Sequence, residues 1–140
     1  RYSESAMSIV AKPDALSESL GFVRQVETGD PSRCILHYNA TMAMCHSGGI
    51  VQGGFVTGWI DAAMAHAVLA ATEFTKTPLS LEIKISFLQS AAPGLVIAEG
   101  WIEKMGRSTA FLEGRLTDEA GNVLAKGSST VKLAPLQRRG

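Results

Sequence analysis

The chain has 140 residues, 13 Lys and Arg against 13 Asp and Glu, and a hydrophobic share of 46%. That is the length of one domain, enough to bury about two-thirds of its unfolded surface without disulfides or a structural metal. Balanced, scattered charge excludes a nucleic-acid partner as the expectation, and two cysteines in no metal spacing with three histidines argue against a zinc site.

Residues 1–19 are polar and mixed, and read as an N-terminal extension. Within it Pro13-Asp14-Ala15-Leu16 opens a short helix with proline in the first turn. Residues 20–135 form the domain, and 136–140 a short tail with Arg138 and Arg139, expected to be solvated. Apolar residues concentrate on two segments within 21–40, separated by Thr28-Gly29-Asp30-Pro31-Ser32, which is turn chemistry; the region reads as a hairpin.

A glycine-rich turn follows, His46-Ser47-Gly48-Gly49-Ile50-Val51-Gln52-Gly53-Gly54, and then a helix from about Gly54 to Thr72. Its apolar residues cover nearly every face, so it belongs in the middle of an assembly, spanning about 28 Å at ~1.5 Å per residue. Asp61 and His66 inside it make it a poor membrane span. Free thiols and the absence of a signal-peptide pattern make a cytoplasmic location the expectation.

After the helix the period changes to two. In residues 80–88 Leu81, Ile83, Ile85 and Phe87 share one face, and Ser80, Glu82, Lys84, Ser86 and Leu88 the other. Three more strands follow, with turns at Ala92-Pro93-Gly94, Gly106 and Glu119-Ala120-Gly121-Asn122. The four C-terminal strands read as an antiparallel meander. The fold class is α+β, one long central helix wrapped by one curved antiparallel sheet. Its free edges, with Trp101 and Phe111 adding aromatic surface, predict a homodimer or a dimer of dimers.

The element order and the 46–68 stretch together resemble the hotdog-fold acyl-CoA thioesterases, in the phenylacetate-pathway (PaaI-like) branch. That family carries Asn, then about six residues on His-Gly-Gly, then Asp seven residues after the second Gly. Here Gln52-Gly53-Gly54 takes the place of His-Gly-Gly, Asp61 follows Gly54 at the family distance, and His46 stands where the family has Asn or Gln. Residues 78–94 look like the strand after the helix, with Ser80 at its Ser/Thr position. Residues 104–108 look like the turn before the penultimate strands. The resemblance covers about residues 20–133 and departs from the pattern at His46 and Gln52. It implies hydrolysis of an acyl-CoA thioester with no cofactor beyond the CoA of the substrate. It also implies a site formed between subunits, the glycine turn from one and the aspartate from the other, with Ser80 holding the attacking water.

The residue chemistry fits that activity. A thioester is attacked by a carboxylate or by water that a carboxylate activates, and desolvation raises carboxylate basicity. Asp61, on an apolar helix, meets the requirement; the plainer reading is a buried aspartate satisfied by backbone. Gly53 and Gly54 allow close approach at a helix start whose unpaired N–H groups form an oxyanion hole, with Gly53 the better donor; the plainer reading is a tight turn. His46 either donates to the thioester oxygen or is a loop histidine, and Gln52 either positions substrate or braces the loop. Thr57, Met64 and Trp59 are assigned to the acyl pocket or the core. A pocket near Trp59, Met64 and Phe87 suggests medium-chain or aryl acyl groups. Gly106, Arg107 and Ser108 would touch the CoA pantetheine or nucleotide, Arg107 by pairing with phosphate, or form a solvated turn. His66, some 140° around the helix from Asp61, reads as structural. A non-catalytic acyl-CoA or acyl-carrier binding protein on the same fold is the alternative.

Overall fold

The computed structural model describes residues 14–136. Most of the expected N-terminal extension, Pro13 included, and Arg138 and Arg139 of the tail lie outside the described residues. Helix α1 (Ala15–Ser19) is capped by Asp14, whose carboxylate accepts from the Ser17 N–H. Strands β1 (Phe22–Val26) and β2 (Arg33–Ala40) pair antiparallel, as the turn residues between them predict. Two short strands, β3 (Cys45–His46) and β4 (Ile50–Val51), form a tight hairpin. Gly48 (φ 79°) and Gly49 (φ 111°) sit in its left-handed turn, which few other residues adopt. The long helix α2 (Gly53–Ala71) follows, then β5 (Lys76–Phe87), β6 (Gly94–Met105), β7 (Thr109–Asp118) and β8 (Val123–Pro135).

Six strands make one antiparallel sheet in the order β1-β2-β6-β7-β8-β5. This corrects the expected four-strand meander. Only β6-β7-β8 is one; β5 crosses to the far edge to pair with β8, and β6 takes its place beside β2. Together, the sheet and α2 are the hotdog fold.

Helix α2 buries Val56, Trp59, Ile60, Ala63, Met64, Ala67 and Val68. They fall at i, i+3, i+4, i+7, i+8, i+11 and i+12, which is one stripe facing the sheet. The apolar residues on the remaining faces are only half-buried, so one chain does not enclose the helix on all sides as its composition predicts. By length and composition α2 is also long enough and apolar enough to cross a bilayer. Trp59 is fully buried with its indole N–H donating to the Leu20 carbonyl at 2.7 Å, so its one polar group is satisfied in the core.

The helix sits low on the sheet because of three glycines in register. Gly100 of β6 pairs with Gly114 of β7, which pairs with Gly127 of β8. A Cβ on Gly100 would come within 2.5 Å of the backbone at Ala63 and Met64, and one on Gly114 within 2.9 Å of Ile60. This row is a trough across three strands into which α2 settles.

The outer face of the sheet is polar at its centre. Glu99 pairs with both Arg33 and Arg115, and the Arg33 guanidinium lies 4.7 Å above the Trp101 ring. Trp101 is therefore largely covered within its own chain, whereas Phe111 is exposed.

Candidate active site

The start of α2 is built by the residues just before it. The Val51 N–H donates to the Ala91 carbonyl and the Gln52 N–H to the Met44 carbonyl, which anchors the turn on both sides. Gln52 is the helix N-cap, and its side-chain Oε1 accepts the Gly54 N–H at 2.8 Å. The Phe55 N–H goes to the Gln52 carbonyl. Of the first three helical N–H groups, only that of Gly53 has no partner among the described residues. It points outward at the positive end of a 19-residue helix, which suits it to hold an oxygen that gains negative charge. Gln52 is thus occupied as a brace. A Cβ on Gly54 would meet its Oε1 at 2.6 Å, so glycine at 54 keeps the cap closed.

An open pocket of about 420 Å³ borders this turn, with His46, Gly53 and Phe87 in its wall. His46 is exposed on β3. The Phe87 ring comes within 3.2 Å of where a Gly53 Cβ would be. The strand pattern places Phe87 with Ile83 and Ile85 on the helix side, but Ile83 and Ile85 are half-buried and Phe87 stays 56% exposed at the strand end. Leu81 departs from that row altogether. A register shift between Ser80 and Glu82 leaves it 65% exposed.

Asp61 directly follows the fully buried Ile60. Burial raises its pKa above the ordinary aspartate value of 3.8, and no hydrogen bond or ion pair reaches its carboxylate from the described residues. A half-buried carboxylate with raised basicity and no internal partner is chemically available to a ligand. It does not line the pocket beside Gly53. Eight residues of helix separate the two, about 12 Å along the axis. One carbonyl cannot touch both within a single chain.

The remaining predicted residues divide by location. Ser80 lies opposite Val131, which is buried toward the helix, so Ser80 is on that side of β5 just before the bulge. Thr57 is half-buried on α2. Met64 and Trp59 are 1% and 0% exposed within the helix–sheet core and line no part of the pocket. Gly106, Arg107 and Ser108 form an exposed turn outside the pocket, held by the Gly106 N–H to Thr109 and the Leu133 N–H to Ser108. The His66 Nδ1 sits 2.8 Å from the Ala62 carbonyl of its own helix. Among the described residues no group of three or more His, Cys, Asp or Glu is arranged to hold a metal ion. Sequence periodicity missed the Leu88–Ala91 side of the pocket, which lies in an irregular segment after β5 and carries no motif.

The sequence profile of the thioesterase superfamily matches residues 48–125, which holds the turn, α2 and most of the sheet. Among solved structures, a phenylacetic acid degradation-related protein from Ralstonia eutropha is 28% identical with a TM-score of 0.80, covering 91% of this chain and 97% of that one. The PaaI protein of the Escherichia coli phenylacetic acid degradation operon superimposes with a TM-score of 0.80 at 16% identity, over 91% of this chain and 90% of that one. A Haemophilus influenzae thioesterase gives 0.82 at 16% identity, over 99% and 95%. The last two likenesses are of fold. No curated protein matches the chain in sequence.

Proposed function

The chain belongs to the thioesterase superfamily, and on that premise we propose that it hydrolyses acyl-CoA thioesters to a carboxylic acid and free CoA. The observation that carries this reading is the Gly53 N–H, left unpaired at the positive end of α2 beside an open pocket. The thioester oxygen accepts from that N–H, and negative charge gathers there as the carbonyl carbon is attacked. Asp61 is the nucleophile, which displaces the CoA thiolate to give a mixed anhydride that water then hydrolyses, or the base that takes the proton from the attacking water. As base it then returns that proton to the departing thiolate as the C–S bond breaks. Ser80 orients the water, and His46, on the pocket rim, assists at the carbonyl. Gln52 acts through the turn it braces. Arg107, with Gly106 and Ser108, meets the phosphate-bearing end of CoA. Thr57 supports the pocket from the first turns of the helix.

The separation of Gly53 from Asp61 supports a site built from two copies of the chain, the turn from one facing the aspartate of the other. A homodimer also accounts for β5, a twelve-residue edge strand with Leu79 49% and Leu81 65% exposed, whose outer edge a monomer leaves unpaired. A cytoplasmic homodimer, or a dimer of dimers, that uses no metal is the form we propose.

Asp61→Asn tests the assignment. It keeps the shape and removes the base, so kcat falls by about 10²–10⁴ while the circular dichroism spectrum is unchanged. Turnover retained by this variant across a panel of acyl-CoAs contradicts the role of Asp61. Micromolar binding of CoA esters by the wild type with no turnover at all would make the protein a carrier or sensor of acyl-CoA.

A further inference from the structure

Resting on the thioesterase reading, we infer that Phe87 is the residue that sets the length of acyl chain the site accepts. The pocket that holds the Gly53 N–H has apolar walls, with Ile50, Val51, Val56, Leu88 and Ala91 beside Phe87. The polar side chains that this chain contributes are His46, Gln89 and Ser90, and no Lys, Arg, Asp or Glu among its described residues lines the pocket. The phosphates and pantetheine amides of CoA find no counter-charge there, so the hydrocarbon end of the thioester is the part that fits. A volume of about 420 Å³ has room for a chain of several methylenes or a phenyl ring.

Within that pocket Phe87 is placed to measure length. Its ring rests on the Cα of Gly53, beside the N–H that holds the carbonyl oxygen, so an acyl chain leaving that carbonyl meets the ring at once. The ring is 56% exposed, packed on one side by the turn and free on the other. Shortening it enlarges the pocket without opening a core cavity.

The test is kcat/KM for acetyl-, hexanoyl-, octanoyl- and dodecanoyl-CoA with the wild type, Phe87→Ala, Phe87→Leu and Phe87→Trp. Phe87→Ala is expected to raise the dodecanoyl-to-hexanoyl ratio at least about tenfold, Phe87→Leu by less, and Phe87→Trp to lower it, since one methylene in an apolar pocket is worth roughly tenfold or more in discrimination. An unchanged chain-length profile in all three variants overturns the role of Phe87. If the wild type turns over no ester, the thioesterase reading fails on its own. The same ratio is then read from binding of non-hydrolysable hexyl- and dodecyl-CoA thioethers, where no shift in Phe87→Ala overturns the inference.

Discussion

The two glycine sets of this molecule do opposite things. Gly100, Gly114 and Gly127 lie in register under the middle of α2, where a side chain on Gly100 would strike helix backbone. Gly53 and Gly54 lie at the start of the same helix, where added atoms would meet only the tips of the Phe87 and Gln52 side chains. The first set lets two elements approach; the second, in the proposed site, lets a ligand approach. A Cβ added to the row is expected to damage the fold, whereas a change at the turn is expected to damage the proposed chemistry in a chain that still folds.

The largest effect on stability belongs to Gly100→Ala. Its Cβ faces main-chain atoms of Ala63 and Met64 at 2.5 Å, so the helix itself has to move. A loss of about 3 kcal/mol, the upper end for overpacking, is expected by urea denaturation. Gly127→Ala is milder, about 1 kcal/mol, because its close neighbour at 2.6 Å is the Ile85 Cδ1, the end of a side chain that can turn aside. Equal losses at the two positions would mean that the trough is not set by helix backbone.

Gln52→Ala comes next and sharpens the other side of the comparison. It frees the Gly54 N–H and removes a cap, for about 1 kcal/mol of stability. As a brace, Gln52 affects kcat/KM by less than about tenfold; a hundredfold loss with an intact fold would make it a substrate contact.

The smallest effect is a gain. Burial holds the Asp61 pKa above 3.8, so between that value and its folded pKa the folded chain keeps a proton that the unfolded chain has lost. Stability linked to this group is therefore fully present below pH 3.8 and declines as pH rises through the folded pKa. Asp61→Asn removes the decline. Its urea midpoint should exceed that of the wild type at neutral pH, and the difference should vanish below pH 3.8.

Much of this was legible in the sequence because the relevant rules are local. The long apolar helix, the hairpin over 21–40, the strand periods and the spacing from Gly54 to Asp61 all lie within about twenty residues of their own evidence. The missing parts depend on distant partners. Nothing near Gly100 shows that Ala63 will press against it. The bulge after Ser80 turns Leu81 outward although strict alternation puts it with Ile83. The move of β5 to the sheet edge follows from β2 taking the place beside β6, a competition that no single segment reveals. Trp59 and Met64 carry the apolar character of a pocket wall, yet the trough draws them into the core. The turn was readable down to Gly53, but not the reason why Gly53 rather than Gly54 keeps its N–H, which is one hydrogen bond from Gln52.

The central claim is that the turn of one chain and Asp61 of another make one site. Gly53→Pro removes the proposed donor at a first-turn position that accepts proline, after a residue whose ψ of 138° suits one. Asp61→Asn removes the base. Each variant alone should be inactive and folded. Co-expressed with different tags and purified as a mixed dimer, they should recover about half the wild-type activity, because one of the two sites then holds an intact Gly53 from one chain and an intact Asp61 from the other. A mixed dimer as inactive as either parent would contradict the account and put both groups to work, if at all, within a single chain.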